Sequence, residues 1–440
     1  MSRVFNEHAS VSRLFSKSLP YKKVLPALII AAGATCSGLA AADDVSKKIA
    51  DLEAEINALK TKVESKSGPE VKPGTHFQYG GFIKTDFIFS EYSDGDRASA
   101  SVGDDFLVPS VIPVGDGNYD SDPVFDANAK FSRFWLKTTT KAGDGSVTSY
   151  IEMDFNASND ERLTNQSSNG LRHAFLQYNY GEGDSILAGQ TWSTFFNTAA
   201  LPEAIDFVGP TSGSLFIRQT QVRFTKGLGA GKSLMFSLEN PSTSLYDGGA
   251  GFSSNQYDNN SLPDVVARYN GSAGDFSYSF AGMLREIAYK DTGSGSESDE
   301  LAGAANFSGV YKFGNGDNIK MSLSYGTLGR YIALNAFRDG VIEADGGIDL
   351  VDTLGGFVAY QHSWSEQWRS TFSYATSTAD NPSSAGGAVT KTVSNANANI
   401  LYSPVPKLTF GAEVIFAERE LENGTDGDLQ RLQFMAKWVF

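Results

Sequence analysis

Cysteine is nearly absent: Cys36 is the only one in 440 residues. That excludes a disulfide scaffold and a cysteine-based metal site. Positive charge is also short. Thirty-six Lys and Arg stand against 51 Asp and Glu, a formal net charge of −15. Nucleic acid is therefore an unsuitable partner, since phosphate binding needs clustered cations. There are only 4 histidines, and His76, His173 and His362 lie far apart with no HExxH or GxSxG near them. No cofactor and no metal site is expected. Long apolar runs are missing too. Beyond the N-terminal region nothing approaches the roughly 20 residues of a spanning helix, and mean hydropathy is −0.24. This last absence excludes helical membrane spans alone, because a barrel strand shows lipid only every second residue.

What the chain does have is aromatics, at 12%, and 45 glycines, arranged in alternation. The last stretch, LQRLQFMAKWVF, puts Leu432, Phe434, Ala436, Trp438 and Phe440 on one face. Arg431, Gln433, Met435, Lys437 and Val439 take the other. A period of two with unlike faces is a strand between two media. Lipid outside and a water-filled lumen inside would supply them. Phe434, Trp438 and terminal Phe440 also look like the signal read by the outer-membrane insertion machinery.

Residues 1–42 read as a cleaved signal peptide. Arg3, Arg13, Lys17, Lys22 and Lys23 precede an apolar run from Val24 to Ala34, and Ala40 and Ala42 form an A-x-A-like site. Cleavage would discard Cys36 and leave the remainder four charges more negative. Residues 43–66 carry heptads, with Val45, Ile49, Leu52, Ile56, Leu59 and Val63 at spacings of 4, 3, 4, 3 and 4. Lys48 and Glu55 fall at g, and Glu53 and Lys60 at e, so a parallel partner would meet opposite charges. A coiled coil of three heptads is too short to hold by itself. A lone amphipathic helix packed on its own protein fits the same pattern. Residues 67–75 form a Pro- and Gly-bearing linker.

From 76 to 440 the chain reads as sixteen strands. In the first, Phe77, Tyr79, Ile83, Phe87 and Phe89 oppose Gln78, Lys84 and Asp86. The connections alternate in length. GEGD at 181–184, GNGD at 314–317 and SEQ at 365–367 are short, while 93–128, 158–169, 193–214, 241–260 and 330–349 are long. A meander barrel with tight turns at one end and long loops at the other requires that parity. A soluble sandwich does not. The expected fold is therefore all-β, a 16-stranded antiparallel transmembrane β-barrel preceded by a short α-helical coiled coil. GLGAGKS at 227–233 lacks the leading glycine of a phosphate loop, Lys226 standing there, and occupies a short turn.

The stretches LRHAFLQYNY, ILAGQTWSTFFN, IRQTQVRFT and NANANILYSPVPKLTFGAEVIFAERE resemble the DcaP-like outer-membrane porins. So does the layout of signal, coiled coil, linker and Phe-terminated barrel. The resemblance spans about residues 43–440. It implies a homotrimer in the outer membrane, with its N-terminal segment in the periplasm and lipid and lipopolysaccharide around it. It also implies uptake of dicarboxylic or aromatic acids.

In a porin, function rests on a constriction and the charges lining it. The connection 193–214 holds Phe195, Phe196, Glu203, Asp206 and Phe207, stiffened by Pro202 and Pro210. That is too apolar for a solvated loop, so it is expected to fold into the barrel. Strand parity points Arg133, Lys137, Arg223, Arg268, Arg285, Lys320 and Arg369 inward, while Arg172 and Arg218 sit at strand ends. Glu203 and Asp206 are expected to face these cations. The guanidinium fork suits carboxylates, but each cation could instead pair with a lumen acid such as Asp86, Glu152, Asp154 or Glu413. Asp94, Asp96, Asp104, Asp105, Asp116, Asp120, Asp122 and Asp126 crowd the first long loop without calcium-loop spacing. It reads as a solvated acidic loop that divalent ions could bridge to lipopolysaccharide. The expected function is a non-enzymatic diffusion porin for small organic anions. A barrel hydrolase using His173 or His362, and a structural or adhesive barrel tethered by its coiled coil, are the alternatives.

Overall fold

The computed structural model describes residues 48, 50–55, 57, 74–97, 101–115, 117, 122–157, 159–160, 166–247, 256–291 and 295–440. Two units result, 1–71 and 72–440. In the first, residues 48, 50–55 and 57 are helical and Leu52 is exposed. Val45, Ile49, Ile56, Leu59 and Val63 lie outside the described residues.

The second unit is a closed barrel of sixteen antiparallel strands. In chain order they are Thr75–Tyr92, Arg133–Ala142, Gly145–Asp154, Gly170–Asn179, Ser185–Trp192, Arg218–Gly229, Lys232–Glu239 and Asp264–Ala273. Phe276–Lys290, Glu297–Lys312, Asn318–Gly326, Asp352–Ser363, Trp368–Asp380, Thr390–Val405, Leu408–Leu421 and Asp426–Val439 complete them. Each pairs with its successor. The last closes on the first from Phe82↔Val439 to Tyr92↔Leu429. Closure leaves no unpaired strand edge, the condition for a sheet in lipid.

Alternation decides the faces. On the first strand Ile83, Phe87 and Phe89 are exposed outward while Lys84, Asp86, Ile88 and Ser90 are buried inward. On the last, Leu432, Phe434 and Trp438 point outward with terminal Phe440, opposite Arg431, Gln433 and Met435. Trp368 stacks on Tyr402 at 4.4 Å in the aromatic band near the short turns. The turn at 229–231 is tight, with Gly229, Ala230 and Gly231 all at positive φ.

The first loop departs from expectation. Residues 124–128 pair with the upper first strand, Asp86↔Asn128 to Ser90↔Val124. The chain then bends, and Arg133–Ala142 pairs with the lower half, Thr75↔Thr140 to Phe82↔Arg133. Residues 124–128, expected within the long connection 93–128, thus form a strand of their own. Nor is this loop simply solvated. Phe106, Leu107, Val108 and Ile112 are buried, and Asp104 and Asp105 are buried with Arg97 and Lys130 at 2.5 and 2.7 Å.

Candidate functional site

The connection 193–217 runs inside the barrel and is pinned to the wall along its length. The Arg268 Nη1 donates to the carbonyls of Thr194 and Phe196 at 3.1 and 2.8 Å. Lys320 Nζ donates to Leu201 O at 2.8 Å. The bend at 205–206 is held by Glu413, whose carboxylate accepts from the amides of Ile205 and Asp206 at 2.9 and 3.0 Å. Lys84 Nζ reaches Ile205 O at 2.9 Å. Further on, a Cβ on Gly213 would lie 1.9 Å from Gly356 O, so only glycine lets the loop backbone lie on that strand.

Two other loops join it. Tyr331, from 327–351, donates to Asp264 at 2.7 Å and packs edge-on to Phe195. The first loop meets it through Leu107 N, which donates to Asp206 Oδ2 at 2.9 Å, and through Phe106 and Phe131 against Phe207. The inward course of these two loops was missed at the sequence level. The run FLVPSVIPV at 106–114 is the signal that could have shown the first.

The loops cover one side of the interior and leave the other open. Asn395, Asn397, Asn399, Glu413, Ile415, Ala375 and Ser377 are inward and buried. On the opposite wall Arg133, Trp135, Lys137, Tyr150, Phe175, Gln177, Arg223 and Thr225 are inward and partly exposed.

All seven cations expected inward by parity do lie inward, and the structure separates them by partner. Arg285 is fully buried between Asp339 at 2.5 Å and Asp264 at 3.4 Å, so it ties the 327–351 loop to the wall and does not line the opening. Arg268 is spent on loop carbonyls. Arg369 grips Glu203 with two 2.6 Å contacts. Arg172 lies at a register shift opposite Glu152/Met153. That bulge turns Arg172 and His173 inward together, and Arg172 pairs with Glu152 at 2.9 Å and Asp154 at 2.7 Å. Arg133 lies 3.5 Å from Glu152 and over the Phe82 ring, 5.1 Å from its centroid. Among the described residues, Lys137, Arg223, Arg218 and Lys437 make no ion pair, and Lys320 contacts only a carbonyl.

The acids differ from expectation. Asp206 does not face the opening. It is buried, and its carboxylate accepts from the amides of Leu107, Val208 and Gly209, which fix the loop's own bend. Glu203 is partly exposed, but Arg369 neutralises it. Thr198 and Ala199 are the loop residues left most exposed there. His173 lies inside against Thr191 Oγ1 at 3.0 Å. His362, expected inside, shares the outward face with Tyr360 and contacts Asp317 at 2.9 Å.

A wide closed barrel narrowed by an inserted loop beside an open cationic wall is a channel geometry. A family model for the DcaP outer membrane protein matches residues 52–440. The chain belongs to that family. It is an integral outer-membrane β-barrel channel. The crystal structure of the outer membrane channel DcaP of Acinetobacter baumannii is similar, with TM-score 0.70 and 24% identity over 85% of this chain and 100% of that one. The anion-selective porin from Comamonas acidovorans superposes with TM-score 0.53 at 11% identity, covering 83% of this chain and 100% of that one. Salmonella typhi OmpF, in complex with daunomycin, gives 0.50 at 14%, covering 83% and 99%. At these identities the likenesses establish the fold. No curated protein matches the chain.

Proposed function

We propose that this DcaP-family channel is a diffusion porin selective for small organic anions. The observation that carries the reading is the charge asymmetry of the opening. Among the described residues, Lys137, Arg223 and Lys437 face the interior without an ion pair, while the partly exposed carboxylate of the inserted loop, Glu203, is neutralised by Arg369. At an effective dielectric of ~20, a carboxylate ~6 Å from one such cation gains about 3 kcal/mol before desolvation costs. A solute of equal size without charge gains none of this. Dicarboxylic and aromatic acids fit the field equally at this level.

Assembly as a homotrimer, with residues 43–66 as a periplasmic coiled coil and lipopolysaccharide around the rim, completes the proposal. Fold neighbours that are porins support the trimer, and the heptads support the coiled coil.

The test is the triple variant Lys137→Gln, Arg223→Gln and Lys437→Gln. Its reversal potential in a KCl gradient should move toward cations, and its uptake of organic acids should fall more than that of neutral sugars. An unchanged potential would remove these cations from the selectivity mechanism.

A further inference from the structure

The inward loop 327–351 carries a backbone feature that selectivity by charge does not use. Ala333, Leu334 and Asn335 stand in succession at φ of 50°, 52° and 64°. Left-handed backbone is routine for glycine, and Asn enters it one residue at a time. Here three residues with side chains share one left-handed turn, and two of them are Ala and Leu. Such a turn carries a steric cost at each position.

Packing shows what the turn accomplishes. Tyr331, Ile332 and Ala333 before it, and Ala336 and Phe337 after it, belong to the buried cluster that holds Phe195, Phe196 and Leu215. Leu334 leaves that cluster. It packs, half-buried, against Phe106, Val108 and Phe131, beside Val111 and Phe207. The chain thus quits one cluster, delivers a single side chain to another and returns, and the left-handed turn supplies the tight reversal. Leu334 thereby ties the 327–351 loop to the first loop and to the bend of 193–217.

The turn is fastened on both sides. Ala333 N donates to Ser214 O and Phe216 N to Tyr331 O, each at 3.1 Å. Beyond it, Arg338 Nη1 donates to Asn335 O at 3.1 Å. Asn335 Oδ1 is buried with no hydrogen-bond partner among the described residues, a second cost of holding the turn closed. Strain of this kind persists only where the surroundings hold it, and it gathers in segments that switch.

We infer that 333–335 is a strained latch and that the channel has two conducting states. With Leu334 seated, the three loops hold together and the opening is narrow. With Leu334 withdrawn, the turn relaxes to ordinary backbone, the first loop parts from 327–351 and the interior widens. Ala333, Leu334 and Asn335 carry no charge, so the latch governs the size of solute that passes and not its sign.

Single-channel recording of the full-length protein in planar bilayers is the test. The wild-type trace should show brief excursions to a second, larger conductance. Leu334→Ala removes the seated side chain and should raise the time spent there roughly 5- to 50-fold, about half the cost of truncating a fully buried leucine. Asn335→Gly and Asn335→Val both remove the unmet oxygen and differ in how they take positive φ. Glycine adopts it freely and a β-branched residue does not. The glycine variant should therefore visit the wide state roughly 3- to 10-fold less often than the valine variant, and less often than wild type. A turn with ordinary backbone would give the reverse order, since glycine loosens it. Should Leu334→Ala fail to assemble, the pair at 335 carries the comparison. One conductance level throughout, or a glycine variant that opens as often as the valine variant, would overturn the latch.

Discussion

Glu413→Ala should release the inserted loop without unfolding the barrel. The Glu413 carboxylate accepts from four donors: the Ile205 and Asp206 amides and the side-chain amides of Asn397 and Asn399, the last two at 3.2 and 2.9 Å. Asn399 Nδ2 also donates to Glu203 O, whereas the other bond of Asn397 is one its Oδ1 accepts from Asn395. Among the described residues Glu413 is the sole acceptor for the two backbone amides, and both residues are buried. Leaving a buried donor unmet costs about 1–3 kcal/mol. Water from the open side recovers part of that, so the net loss is roughly 2–4 kcal/mol, or a roughly 30- to 1000-fold rise in loop opening. Arg268 and Lys320 still hold the loop at Thr194, Phe196 and Leu201, and Lys84 and Arg369 keep Ile205 O and the Glu203 carboxylate, so opening should centre on the 205–206 amides. Hydrogen exchange in detergent should accelerate by that factor at Ile205 and Asp206 and stay unchanged in the strands. Single-channel current should become noisier and larger. Glu413→Gln, which keeps one acceptor oxygen, should fall between. Unaltered exchange at 205 and 206 in the alanine variant would show that the carboxylate does not anchor the loop.

Three further outcomes follow from other parts of the barrel. Arg285→Met strands Asp339 without its cation and leaves Asp264 only the longer contact to Arg330 at 4.0 Å, a buried-pair break worth about 3–5 kcal/mol; thermal unfolding by circular dichroism should shift down while the reversal potential holds, and a change of selectivity with normal stability would place Arg285 in the opening after all. Asp104, in the first loop, is pushed up to about 6 by burial, against the pull of Arg97 and with Asp126 and Asp105 adding to the rise. Because the folded value lies above the unfolded one, its contribution to stability is full below about pH 4 and is lost as pH rises through about 6. Limited proteolysis of the first loop should therefore be slower at pH 5 than at pH 7, and Asp104→Asn should flatten that difference; a loop equally resistant at both pH values would refute the assignment. Phe440 is exposed on the outward face, and its amide donates to Gly81 O at 3.1 Å. Phe440→Ala keeps that bond, so the folded barrel should be as heat-stable as the parent while outer-membrane levels drop, and equal levels would remove its role as a signal.

The faces of the strands were legible because a barrel wall separates two media. Any residue two positions from an exposed Phe had to share its side, and Arg223, Arg268 and Arg285 all fall inward as parity requires. Their roles were not legible, because parity says nothing about what crosses the interior. Arg285 lies under the 327–351 loop, Arg268 under the 193–217 loop and Arg223 under neither. Glu203 and Asp206 are alike in the sequence, yet one meets Arg369 and the other three backbone amides. Arg172 shows a second limit. The register shift beside Glu152 turns it inward, and a one-residue bulge leaves no mark in the alternation of LRHAFLQ.

The central claim is that the open wall gives the channel its charge preference. Reversal potential of the wild-type channel in a tenfold KCl gradient, at low ionic strength where screening is weakest, tests it most directly. The account predicts a potential of anion-selective sign that shrinks as salt is raised. A potential of cation-selective sign, or one near zero at low salt, would contradict it.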